Sequence, residues 1–186
     1  TGYGVYWDPI AKVGLKYRRT QALRNANLQE VIGHLDQGRP VVVWGYFGGG
    51  NRYTWNTPQG YIINAVHGEH ARTLVGYVGP SDNPEQVILL DPIYGELYWD
   101  TQRFLENWGA LENGAVVVYH HSRWVKSAND NTVWELSADA KKKYALAMNW
   151  DSFISQGGVG EGIHTVDQTW IDSIENGGIL ESLPLQ

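Results

Sequence analysis

Strand patterns crowd residues 61–99, and the turn chemistry between two of them constrains the fold most. Segments 61–66, 70–78, 86–90 and 96–99 each read as a strand, rich in β-branched and aromatic side chains. Gly79-Pro80-Ser81-Asp82-Asn83-Pro84 joins the second to the third. Glycine, proline and short polar residues at this density reverse a chain tightly, so the two strands are expected to form an antiparallel hairpin.

The flanks add helices. Asn27 can cap one, with Glu30 three residues on, and Leu28, Val31, Ile32 and Leu35 fall on a single face. Gly38 stops that helix, and Pro40 precedes Val41-Val42-Val43-Trp44, a short apolar run expected as a buried strand. Gly48-Gly49-Gly50-Asn51 signals a loop. Asp100 caps a helix with Phe104, Leu105 and Trp108 inward, and residues 115–119 form a last core strand. A helix followed by clustered antiparallel strands is an α+β pattern.

Beyond His121 the character changes. Ser137 is expected to open a helix reaching Ile154, with Lys141-Lys142-Lys143 on its solvated face. Residues 157–162 are glycine-rich, and a last helix is expected over 167–176. The expected organisation is a sheet domain over residues 1–121 and a helical extension over 122–186.

Charge and composition narrow the partners. Fourteen Lys+Arg against twenty Asp+Glu leave a formal charge of −6, the wrong balance for nucleic acid. No apolar run approaches the roughly 18–20 residues of a membrane span. Cysteine is absent, which excludes disulfides, thiolate metal sites and a cysteine nucleophile supplied by these 186 residues. The chain opens on Thr1 rather than Met, without a basic-then-apolar leader, so removal of an upstream piece is expected.

The hairpin carries the chemistry. With a turn centred near residues 80–82, His70 at the start of one strand faces Asp91 at the end of its partner. A carboxylate there accepts a hydrogen bond from one imidazole nitrogen and leaves the other available, which is the orienting half of a nucleophile–base–orienter triad. The plainer alternative is a polar cross-strand pair at a sheet edge, and spacing alone leaves both open.

The same residues carry a resemblance. His70-Ala71-Arg72-Thr73-Leu74-Val75-Gly76-Tyr77, then Val87-Ile88-Leu89-Leu90-Asp91-Pro92 and Gly95, resemble the second half of a papain-like cysteine peptidase. The likeness is to the group related to double-glycine leader peptidases, the C39-like peptidases. Leu28-Gln29-Glu30 through Gly38-Arg39-Pro40-Val41-Val42-Val43 resembles the helix and strand ahead of the His in that group, and Tyr98-Trp99, Phe104 and Trp108 its closing helix. The resemblance implies a papain-like α+β fold, mainly its antiparallel sheet half with flanking helices, over residues 1–121.

It further implies cysteine-dependent cleavage of peptide amide bonds, with His70 as base and Asp91 as its orienting partner. The implied partner is a peptide or protein substrate, with no cofactor and no metal. Members of the group are often exported, so a secreted or cell-surface location is expected. The family's nucleophilic Cys lies on a helix ahead of the His, preceded by a Gln; no Cys is present and no such helix is expected in this sequence. The first serine is Ser81, beyond His70, and upstream hydroxyls are limited to tyrosines, Thr1, Thr20, Thr54 and Thr57. Two readings follow: the nucleophile sits on a separate N-terminal chain or removed segment, or the domain is an inactive module that binds or supports. Thr1 as an N-terminal nucleophile is a third reading that rests on position alone.

Other candidates are weaker. His67 and His70 with Asp91 have the donor types of a divalent-metal site, but both His on one strand would point to opposite faces. His34, His120-His121 and His164 show no ligand spacing. Tyr3, Tyr6, Trp7, Trp44, Tyr46, Tyr53 and Trp55 could line a groove, or pack the core.

Overall fold

In the computed structural model, which describes residues 6–184, a helix α1 (Trp7–Gly14) and a strand β1 (Thr20–Leu23) come first, so a helix does stand ahead of His70 where the sequence leads one to expect none, although it carries no Cys. Helix α2 (Leu28–Asp36) begins where expected, the Asn27 side chain accepting a 2.9 Å hydrogen bond from the Glu30 N–H. It ends before Gly38, whose φ of 69° suits glycine at a helix stop. Then come β2 (Val41–Tyr46), β3 (Arg52–Asn56), β4 (Ile62–Val66), β5 (Glu69–Val78), β6 (Gln86–Asp91), β7 (Gly95–Asp100), α3 (Thr101–Trp108) and β8 (Ala115–Val118).

Six strands form one sheet in the order β1-β8-β2-β5-β6-β7, and β3 pairs with β4 as a separate ribbon. The pairs β8–β2, β2–β5, β5–β6 and β6–β7 are all antiparallel, so the expected hairpin is β5–β6. Its inward faces are apolar: Val41, Leu74, Val87, Leu89 and Val117 are fully buried, and Val31 and Ile32 of α2 are buried with them.

Helix α3 differs from its expected facing. Phe104, Asn107 and Trp108 are buried, and Leu105 is exposed. Asn107 turns inward because its amide completes the end of β2, Oδ1 accepting from the Tyr46 N–H at 3.2 Å and Nδ2 donating to the Tyr46 carbonyl at 3.0 Å. A Cβ on the neighbouring Gly45 would collide with that Oδ1, whereas one on Gly76 would meet only Ile88 Cδ1, at 3.3 Å. Gly45→Ala is therefore expected to cost about 1–3 kcal/mol and Gly76→Ala less, measured as shifts in urea midpoint.

The described residues fall into two compact units. One runs up to Asp8 and covers Ala22–Val118; the other comprises Pro9–Gln21 and everything from Tyr119 onward. In place of the helical extension, the second unit holds a five-stranded sheet. Its elements are β9 (Trp124–Ser127), β10 (Trp134–Leu136), β11 (Lys142–Leu146), α4 (Trp150–Ser155), β12 (Ile163–Val166), α5 (Gln168–Asp172) and β13 (Glu175–Leu180), with sheet order β12-β9-β10-β11-β13.

The helix expected over 137–154 fails because its lysines alternate rather than share a face. Lys143 is buried, donating to the Ile171 carbonyl at 2.6 Å and lying 4.9 Å from the Trp134 ring centroid, while Lys142 turns out toward Glu175 at 3.4 Å. Tertiary pairing of β11 with β10 and β13 overrides helix propensity there, and only Trp150–Ser155 stays helical, capped by Asn149. The helix expected over 167–176 likewise stops at Asp172, since Glu175–Leu180 is drawn into the sheet beside β11. Leu15, Trp124, Phe153, Val159 and Leu183 form one core cluster of this unit, and Val125, Leu136, Ile171 and Ile174 another. Among the described residues no helix is long and apolar enough to cross a membrane.

Candidate functional site

A one-residue irregularity in β5 sets the site. Gly76 pairs with Ile88, but Leu74 pairs with Leu89 and Thr73 with Leu90, so Val75 is an unmatched bulge residue. Because side chains alternate in direction, an extra residue in one strand exchanges the faces of everything beyond it. One step past the last pair, Asp91 lies level with Arg72, and His70 follows two residues further on the same face. His70 therefore meets Asp91 diagonally rather than directly across. Without the bulge, His70 and Arg72 would point to the other side of the sheet.

Asp91 closes β6 with no exposed side-chain surface. His70 Nε2 lies 2.9 Å from Asp91 Oδ2, and Arg72 Nε donates to the same oxygen at 2.8 Å. The other oxygen, Oδ1, accepts from the backbone N–H groups of Ile93 at 2.8 Å and Tyr94 at 3.1 Å. Burial alone would raise the Asp91 pKa, but the hydrogen bonds from Ile93, Tyr94 and His70 outweigh it and hold the group at about 2. An ionised carboxylate can only accept, so Nε2 carries its proton and Nδ1 of a neutral ring presents a lone pair.

His70 has 14% of its side chain exposed, and the Phe47 ring meets it edge-on at 6.3 Å. Phe47 in turn stacks on Tyr94 at 5.8 Å. These rings shield the imidazole on one flank. A groove of about 600 Å³ is lined by Phe47, Arg72, Tyr94, Trp99 and Arg103. Arg72 and Arg103 both lie over the Trp99 ring, at 4.5 and 4.2 Å from its centroid, which fixes the guanidinium that shares Asp91 with His70.

The other sequence candidates separate. His67 stacks on Tyr53 at 4.6 Å and does not join His70. His121 hydrogen-bonds the carbonyls of Ser122 and Ala138, and His164 the carbonyl of Lys16, each at 2.8–3.1 Å. Thr1 and Tyr3 lie outside the described residues. Arg72 and Asn107 escaped sequence reasoning; the period-2 alternation that puts residues 70 and 72 on one face was the available signal for Arg72.

An imidazole held by a buried carboxylate on the neighbouring antiparallel strand, with its second nitrogen unblocked by that carboxylate, has the geometry with which a general base can be oriented. The family follows from comparison with known proteins. The chain belongs to the Peptidase_C39 like family, whose profile matches residues 1–116. A solved Bacillus anthracis structure provisionally named a C39-like peptidase shares the fold at 24% identity and a TM-score of 0.56, covering 66% of this chain and 62% of that one. The matched part thus spans less than two thirds of that relative. No curated protein matches the chain.

Proposed function

We propose that this chain supplies the base half of a C39-like cysteine peptidase site, with a thiol nucleophile provided by a polypeptide segment outside these 186 residues. The observation that carries the reading is the His70 Nε2–Asp91 contact of 2.9 Å in a chain of this family. His70 Nδ1 takes the proton of an incoming thiol while Nε2–H stays on Asp91. The thiolate adds to the peptide carbonyl, and the imidazolium returns its proton to the leaving amine as the C–N bond breaks. Water, deprotonated by His70, then hydrolyses the thioester and regenerates the thiol. The substrate is a peptide or protein, and export to the outside or the cell surface belongs to the same reading.

A second reading is favoured by one fact, the complete absence of cysteine. In it the domain is an inactive module, with Asp91 retained as a structural partner of Arg72. Intact-mass analysis of the native protein separates the two. The peptidase reading expects a co-purifying Cys-bearing fragment whose thiol, at mildly acidic pH, is alkylated about tenfold or more faster with this chain bound than alone. Native material without such a fragment, or a bound thiol of ordinary reactivity, would overturn it.

A further inference from the structure

On the opposite face of β5 from His70, a cavity of about 320 Å³ is bordered by Tyr6, Trp7, Trp44, Trp55 and Glu69. Its rings do not stack flat. Tyr6 and Trp7 meet at 86° with centroids 5.3 Å apart, and Trp7 and Trp44 at 64° with centroids 6.4 Å apart. Rings at such angles wall a space from several directions, and the face of each ring carries the negative lobe of its quadrupole.

Glu69 opens β5 at the edge of this space. It is partly buried, burial raises its pKa, and among the described residues no hydrogen bond or ion pair reaches its carboxylate. The two most buried carboxylates behave otherwise: Asp91 is held by His70 and Arg72, and Glu135 by Arg123 at 3.0 Å. Partial desolvation without a counter-ion is costly for a carboxylate, and a cation arriving in the cavity relieves it. The chain's net charge of −6 favours the approach of cations over anions.

The geometry points to a binding site for a small organic ammonium ion, with its charge against Glu69 and its carbon surface against Tyr6, Trp7, Trp44 and Trp55. A metal ion would leave the apolar walls unused, and a neutral apolar ligand would leave Glu69 unpaired. The site needs no nucleophile, so it holds whether or not the peptidase reading does.

Titration of the full chain with n-butylammonium, tetramethylammonium and the neutral n-butanol, followed by tryptophan fluorescence, tests it. Saturable binding of an ammonium ion is expected, about tenfold or more tighter than n-butanol and weakened by a similar factor in Glu69→Gln. Preference between the two cations identifies a primary or a methylated head. Glu69→Gln is expected to keep or raise the urea midpoint, so weaker binding would not reflect unfolding. Equal binding of n-butanol, unchanged affinity in Glu69→Gln, or no saturable binding by either cation would overturn the site.

Discussion

Under the proposed peptidase function, His70→Ala is expected to lower peptide-bond cleavage, measured with the Cys-bearing segment bound, by roughly a hundredfold to ten-thousandfold, the range a positioned acid–base group contributes. The fold should survive. Removing the imidazole frees one bond to Asp91 Oδ2, but Arg72 Nε still donates to that oxygen at 2.8 Å and the Ile93 and Tyr94 N–H groups still hold Oδ1. The lost hydrogen bond is worth about 1 kcal/mol net, and the side chain is already partly open to water. The measurement is kcat/KM beside a urea midpoint on the same preparation. A variant that keeps full turnover would remove His70 from the chemistry. A variant that unfolds would make the pair structural.

The parts of this molecule that were legible in its sequence are those fixed by local chemistry. The Asn27 cap, the Gly38 stop and the reversal over residues 79–84 are short-range, and each lies where expected. The contact between His70 and Asp91 was legible because a hairpin brings strand ends together almost regardless of detail. Arg72 was missed because its partner depends on the bulge at Val75, and nothing in Leu74-Val75-Gly76 announces an extra residue before the pairing is known. Asn107 was missed because its task is to satisfy the Tyr46 backbone, 61 residues away. The second unit was misread for a related reason. Lys141-Lys142-Lys143 suits a solvated helix face locally, and only the distant Ile171 carbonyl and Trp134 ring give Lys143 a buried place.

Asp91→Ala should damage the fold far more than His70→Ala. It leaves the Arg72 guanidinium, only 5% exposed, without its counter-ion, and it strips the acceptor from two backbone N–H groups. Breaking a buried pair from one side costs about 3–5 kcal/mol, more than His70→Ala by a wide margin. Removing both partners is different: Asp91→Ala with Arg72→Met takes the stranded charge away and should recover part of the loss. The acid limb of stability has the same origin. Asp91 titrates at about 2 in the folded chain, below the roughly 3.9 of an unfolded aspartate, so its contribution is complete above that upper value. It fades as pH falls from about 4 toward 2, because the unfolded chain takes up the proton first. Asp91→Asn, which cannot ionise, should start less stable and lose less over that interval. Equal acid sensitivity in Asp91→Asn, or a double variant no more stable than Asp91→Ala, would show that the Arg72–Asp91 pair does not govern stability here.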